Sequence, residues 1–328
     1  MKKQLRQLNS FISRMRIGID GMGGDFAPEN VVLGVIQASK VLQLGSTIVL
    51  YGNAKAINAI FEREKFSGNN VEVIDAPSVI EMGEHPAKAF QRKQDSSITV
   101  GFKDLYAGKI DAFASAGSTG AMMVGAVSVI KVISGIIRPC LTTSVPKLSG
   151  GKFTTLLDIG LNSDCRPDVL YQYGILGSLY SQYYHEVENP RVRLLNIGEE
   201  EKKGNLLTQA TYALMKESED FNFCGNIEGH ELYSDKADVI VSDGFTGNIV
   251  LKQVEAMYGI SKKLGIEHPF FEYFNYENHG GTPVLGVQAP IVIGHGASSA
   301  KAIKNMVLQT EKLVVSQLTE KIKKAFED

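Results

Sequence analysis

Short apolar runs alternate along this chain with longer stretches in which apolar residues return every three or four positions. The short runs predict strands at 16–20, 46–51, 71–75, 111–115, 140–145, 153–158, 192–196, 222–227, 238–242 and 290–293. The longer stretches predict helices at 29–43, 86–107, 166–184, 201–218 and 299–325. Strand and helix in turn argue an α/β fold with a mostly parallel, doubly wound sheet and right-handed crossovers. Two segments break the alternation. Residues 141–156 enclose Lys147-Leu148-Ser149-Gly150-Gly151-Lys152 and predict a hairpin. Residues 265–283 carry Phe270, Phe271, Tyr273, Phe274 and Tyr276 and end in Gly280-Gly281-Thr282-Pro283.

Polar, glycine-rich loops recur where a predicted strand gives way to a helix. Asp20-Gly21-Met22-Gly23-Gly24-Asp25 follows the first strand, with Pro28 where a first helical turn tolerates it. Ser115-Ala116-Gly117-Ser118-Thr119-Gly120-Ala121 follows the fourth. Asp243-Gly244-Phe245-Thr246-Gly247-Asn248 and Gly294-His295-Gly296-Ala297-Ser298-Ser299 repeat the same grammar. In a parallel sheet such loops gather at the carboxyl edge of the strands. Small residues there let backbone N–H groups converge, and a helix start adds partial positive charge, which suits phosphate or another oxyanion. A ligand-free tight turn satisfies any one of these loops equally well; four together predict a pocket for an anion.

Bulk properties narrow the classes. A chain of 328 residues accommodates one large α/β unit or two lobes. No low-complexity linker or internal repeat divides it, so 15–328 is expected to be one compact unit, with a two-lobed division left open. The formal net charge of −2 argues against a general nucleic-acid binder. Cys140, Cys165 and Cys224 form no pairing or metal pattern and suit a reducing, cytoplasmic setting; the six histidines show no ligand spacing, so no metal site is expected. No apolar run has the length of a membrane span. At the front, Leu5, Leu8, Ile12 and Met15 fall at helical spacing among Lys2, Lys3, Arg6 and Arg14. Residues 1–14 are expected to be a frayed extension; the alternative is a basic amphipathic helix on an anionic membrane.

The motifs converge on one known family. The loops at 20–25, 115–121, 243–248 and 294–296, with Asn196-Ile197-Gly198-Glu199-Glu200-Glu201 and Gly225-Asn226-Ile227-Glu228-Gly229, resemble the signatures of the PlsX family. The resemblance runs from about Met15 to Gln309, with six motifs in the same order. It implies a three-layer α/β/α fold like that of phosphotransacetylases and the isocitrate dehydrogenase group. It also implies transfer of a long-chain fatty acyl group from acyl carrier protein to inorganic phosphate. The product, acyl phosphate, then serves a membrane glycerol-3-phosphate acyltransferase in phospholipid synthesis. Cofactors are not called for; a homodimer with peripheral membrane contact is implied. The chain departs from the family at Ser118, where Asn is frequent, and at Leu161 beside Asn162, where Ala is frequent. Its 253–279 segment is shorter than in many members.

Roles follow as expectations. Ser115, Gly117, Ser118, Thr119 and Gly120, with Gly244, Thr246, Gly247, Asn248 and Ser298, are expected to hold phosphate. Asn162 and Asn226 are expected to donate to phosphate or the carbonyl oxygen, and His295 to protonate the departing sulfur. Asp243 belongs to the catalytic group, and Asp20, Gly23, Gly24 and Asp25 orient the loops, since carboxylates repel phosphate. Lys147 and Lys152 are candidates for attracting phosphate or the acidic carrier. Lys88 and Arg92 share a helical face that is either solvated or a docking surface. Met122, Met123 and the 270–276 aromatics either line an acyl groove or pack the core. Three rivals remain: a short-chain acyl-CoA phosphotransacylase, an oxidoreductase of the isocitrate dehydrogenase group, and a scaffold that binds carrier protein.

Overall fold

The computed structural model describes residues 15–150 and 152–327. The expectations for residues 1–14 lie outside it. Strands, in chain order, are β1 (Arg16–Asp20), β2 (Thr47–Gly52), β3 (Val71–Asp75), β4 (Ala112–Ser115), β5 (Cys140–Pro146), β6 (Phe153–Leu157), β7 (Arg191–Asn196), β8 (Asn222–Glu228), β9 (Val239–Val241), β10 (Gly281–Leu285) and β11 (Ile291–Gly294). Helices are α1 (Glu29–Ser39), α2 (Ala54–Arg63), α3 (Pro86–Arg92), α4 (Ser97–Tyr106), α5 (Thr119–Val124), α6 (Pro167–Tyr184), α7 (Leu206–Lys216), α8 (Gly244–Lys263), α9 (Pro269–Glu272), α10 (Ala300–Val315) and α11 (Leu318–Glu327). They divide between two compact units. The first runs up to Lys131 and adds Tyr276–Thr282 and Val287–Val315; the second comprises Val132–Asn275, Pro283–Gly286 and the chain from Ser316 onward.

In the first unit the strands lie in the order β3-β2-β1-β4-β11, and all of these neighbours are parallel. Ile17, Ile19, Val49, Leu50, Phe113 and Ala114 are fully buried, as expected of strands covered on both faces. Helices close in where glycine leaves room. A Cβ at Gly34 of α1 would stand 2.6 Å from the Ala300 carbonyl and from Ile303 of α10. A Cβ at Gly101 of α4 would stand 2.2 Å from the Phe113 ring.

In the second unit β6, β9, β7 and β8 are parallel neighbours in that order. The predicted hairpin is present: β5 and β6 pair antiparallel from Thr142↔Leu157 to Pro146↔Phe153. β10 adds antiparallel to β5 through Val284↔Leu141. The mostly parallel α/β architecture is therefore the one expected, but several elements differ. The long helix foreseen at 86–107 is two helices. Ser96 breaks it because its side chain accepts from the Thr99 N–H and caps a fresh start at α4. The helix foreseen at 299–325 breaks between α10 and α11, where Gln317 has φ 53°. α7 starts late, at Leu206, because Asn205 is its N-cap. Strand β10 and helix α2 were not foreseen.

Among the described residues no helix is long and apolar enough to cross a membrane. Gly34→Val is expected to lower unfolding free energy by about 1–3 kcal/mol, by forcing α1 off α10. Urea unfolding followed by circular dichroism measures it; an unchanged midpoint would show that the helix crossing has slack.

Candidate active site

Three of the four glycine-rich loops meet in the first unit. Their junction is Asp20, at the end of β1 and 1% exposed. Its Oδ2 accepts from the Ser115 hydroxyl at 2.6 Å, at the end of β4. Its Oδ1 accepts from the Met22 N–H at 3.0 Å. Ser97, at the start of α4, and the Gly23 N–H also donate to it. Burial pushes the Asp20 carboxyl above the usual carboxylate range, and these donors pull it partly back. The Ser115 oxygen accepts in turn from the Gly117 N–H at 2.9 Å.

Close approach explains the glycines. A Cβ at Gly23 would lie 2.3 Å from Asp20 Oδ2 and 2.7 Å from the Gly117 nitrogen. Gly24 has φ +107°, a left-handed conformation that glycine adopts freely. Beyond it the Asp25 N–H donates to the Gly296 carbonyl at 2.8 Å, which brings in the loop after β11. Ser118 caps α5, its oxygen accepting from the Ala121 N–H. Thr119 and Gly120 open that helix, which continues through a π-helical stretch, Gly125–Ile130. Among the first N–H groups of a helix, those without an internal partner are free to face an anion.

A cleft of about 510 Å³ opens at this junction. Gly23, Gly24 and Gly117 line it together with Met22, Ala27 and the segment from Val79 to Gly83. Asp25 and Glu81 also line it; both are exposed, so water hydrates their charge. His295 is exposed on the 294–299 loop. Its Nδ1 accepts from the Ala297 N–H at 3.1 Å, so the neutral ring carries its proton on Nε2. Its ring lies 4.9 Å from that of Tyr276. Ser298 is buried, and its hydroxyl donates to the His295 carbonyl at 2.5 Å.

The second unit gathers its own cluster around Asp158, which is fully buried at the end of β6. Asp158 accepts from the N–H groups of Leu141, Gly160, Leu161 and Asn162 and from the Asn162 side chain. Burial raises its carboxyl despite those donors. Asn162 also donates to the Pro139 carbonyl at 2.8 Å, so its amide is engaged in shaping the loop. The Asn162 carbonyl accepts from the Gly244 N–H at 2.8 Å. A Cβ at Gly247 would fall 1.8 Å from the Asp158 carbonyl. Asp243 caps α8, accepting from the Thr246 N–H at 2.8 Å and the Thr246 hydroxyl at 2.9 Å. The Asn248 side chain stands over Gly160. Beside them burial pushes the Cys165 thiol up to about 11, with Asp158 adding to it, which keeps it protonated and poorly nucleophilic.

Other expected residues lie apart. Asn226 is on β8, opposite Leu194 of β7, which in turn pairs with Val241 of β9. Its amide nitrogen donates to the Glu200 carbonyl, while its Oδ1 is buried without a partner. Lys147 is 2% exposed and bonded to Asp238 at 2.6 Å, so it is no lure for phosphate or carrier. Burial alone would raise Asp238; Arg191 and Lys147 outweigh it and hold that carboxyl well below its usual range. Met122 and Phe274 are buried in the core, whereas Met123, Phe270, Phe271 and Tyr273 are half-buried and Tyr276 is exposed; the Phe270 and Phe274 rings pack at 5.0 Å beside Tyr233. Lys88 and Arg92 are exposed. No group of three or more His, Cys, Asp or Glu among the described residues is placed to hold a metal ion. Asp158, Ser97 and the 79–83 wall escaped the sequence reading. Asp158 alone left a trace, an acidic residue at a strand end before Gly160.

The fold is that of phosphotransacetylases. EutD phosphotransacetylase from Staphylococcus aureus matches with a TM-score of 0.66 at 18% identity, over 95% of this chain and 98% of that one. A phosphotransacetylase from Streptococcus pyogenes matches with a TM-score of 0.66 at 15% identity, over 96% and 99%. At the level of sequence, the model for "Fatty acid synthesis protein" matches residues 15–321, and the chain belongs to that family. A relative from Dictyoglomus turgidum, named phosphate acyltransferase, is 39% identical across 94% of this chain and 96% of its own. One of the same name from Desulfitobacterium hafniense is 40% identical across 94% and 97%.

The raised Asp20 carboxyl carries a sign for stability. The folded protein keeps that proton to a higher pH than the unfolded chain, whose Asp titrates near about 3.9. Between the two values the native state binds more protons, so this contribution is full at low pH and is lost as pH rises through the folded value. Urea unfolding of wild type and Asp20→Asn over about pH 4 to 8 is therefore expected to show wild type losing stability relative to the variant as pH rises. A gap independent of pH would contradict it.

Proposed function

We propose that this chain transfers a long-chain fatty acyl group from the thioester of acyl carrier protein to inorganic phosphate, releasing acyl phosphate and free carrier. Family membership and the relatives named phosphate acyltransferase support the activity. The structural observation that carries the reading is the cleft in the first unit. Gly23, Gly24 and Gly117 line it together with Val79, Ile80 and Met82, so small residues that admit an oxyanion share one cleft with apolar ones that suit an acyl chain.

The reaction asks little covalent chemistry of the protein. A phosphate oxygen attacks the thioester carbonyl carbon, the carbon–sulfur bond breaks, and the sulfur leaves as thiolate or takes a proton. Phosphate is already a competent nucleophile near neutral pH, and a thiol of pKa about 8.5 is a good leaving group. The work is desolvation, positioning and stabilisation of the developing oxyanion. Ser118, Thr119 and Gly120 at the start of α5 hold the phosphate, with Gly23 and Gly117 giving it room. Asp20 keeps the loops in register rather than touching it. His295, with its proton on Nε2, serves the departing sulfur. A homodimer with peripheral membrane contact belongs to the same reading, as does delivery of product to a membrane glycerol-3-phosphate acyltransferase.

Incubation with palmitoyl-ACP and radiolabelled phosphate is expected to yield labelled palmitoyl phosphate and one free carrier thiol for each acyl group transferred. Turnover of acetyl-CoA or butyryl-CoA without turnover of palmitoyl-ACP would replace the reading with a short-chain phosphotransacylase. Carrier binding without phosphate-dependent thiol release would replace it with a scaffold.

A further inference from the structure

One wall of the cleft has no regular secondary structure. The chain from Ala76 to His85 lies between β3 and α3 without helix, and it makes an isolated parallel bridge from Ser78 to Ser96. Yet Val79, Ile80 and Met82 of this segment line the cleft. A wall of loop must be held by side chains if its shape is to be fixed. Ile80 is buried, and the polar side chain that ties the segment's two ends is Lys93, half-buried just beyond α3. Its ammonium donates to the Val79 carbonyl at 2.6 Å, where the wall begins. The same ammonium is paired with the Glu84 carboxylate, where the wall ends. One cation thus fastens both ends of the apolar stretch.

The fastening reaches the phosphate loop. Lys93 terminates α3, and Pro86 at the start of α3 packs so close to Gly120 that a Cβ there would lie 2.4 Å from the proline ring. The Met82 methyl in turn reaches the loop after β11, where a Cβ at Gly296 would lie 3.2 Å from it. The wall thus meets the loop after β11 directly through Met82 and leads, through Pro86 of α3, to the start of α5.

We propose that Lys93 is a positioning residue for the acyl donor. By tying Val79 to Glu84 it holds the Val79–Ile80–Met82 surface as the subsite for the methylenes next to the thioester. The assignment rests on the acyltransfer reading above. It separates two requirements within one cleft: phosphate depends on the glycine floor, and the acyl group depends on the wall that Lys93 fastens.

Palmitoyl-ACP binding without phosphate, measured by calorimetry, tests it in wild type, Lys93→Met and Glu84→Gln, with KM for phosphate measured alongside. Both variants are expected to weaken palmitoyl-ACP binding by about fivefold or more and to change the phosphate KM by less than about twofold. Lys93→Arg, which retains the cation, is expected to recover part of the loss. Glu84→Gln is decisive if Lys93→Met fails to fold. Were Lys93 merely attracting an acidic carrier, freeing it from Glu84 would tighten binding; the latch requires the opposite. Unchanged or tighter binding by Glu84→Gln overturns the proposal, as does a phosphate KM that rises in step with the loss. Wild type that binds palmitoyl-ACP more tightly than both variants, yet forms no acyl phosphate, would refute the acyltransfer reading while leaving the subsite supported.

Discussion

A carboxyl group at the end of the first strand, shut away from water, is the constraint on which the site depends. Removing a carboxylate from water is costly unless hydrogen bonds replace its hydration. Asp20 obtains those bonds from three places far apart in sequence: its own loop, the end of β4 and the start of α4. Satisfying the carboxyl therefore fixes the loops relative to one another. Ser115 relays the same constraint to the Gly117 N–H, one residue before the cap of α5. Gly23 is demanded by the crowding, since any side chain would collide with the carboxylate and the neighbouring backbone.

The second unit repeats the device with different residues. Asp158, also at a strand end and also buried, collects N–H groups from across the hairpin and from the loop that follows. Gly247 is pressed against its carbonyl, and Gly244 donates to Asn162. Both units thus place a desolvated carboxyl beneath a glycine-bearing loop, where its energetic demand organises backbone rather than binding ligand directly. This division of labour suits a reaction whose nucleophile is an anion, because buried acids near the floor would repel phosphate if they faced it.

Much of the architecture was legible because parallel strands buried on both faces write uninterrupted apolar runs, and Ile17–Ile19, Val49–Leu50 and Val239–Val241 are such runs. The loop grammar was legible for a related reason, since Ser118 and Asp243 announce helix starts as N-caps. What the pattern hid was tertiary. Ser96 restarts a helix inside a stretch of unbroken helical periodicity. Thr246 and Asn162 look like free donors in sequence, but Asp243 and Asp158 engage them. Lys147 reads as a surface cation until Asp238 buries it. The wall at 79–83 has no period at all; a turn bond from the Glu84 N–H to the Glu81 carbonyl, the buried Ile80 and the Lys93 bonds at its two ends give it a shape.

The central claim is that an oxyanion sits on the glycine floor that Asp20 organises. Crystals soaked in tungstate, a heavy tetrahedral stand-in for phosphate, test it most directly. The account predicts an anomalous peak within hydrogen-bond reach of the N–H groups at the start of α5, beside Gly23 and Gly117. Tungstate that inhibits turnover competitively with phosphate, yet is ordered only elsewhere in the crystal with this cleft left to solvent, would contradict it.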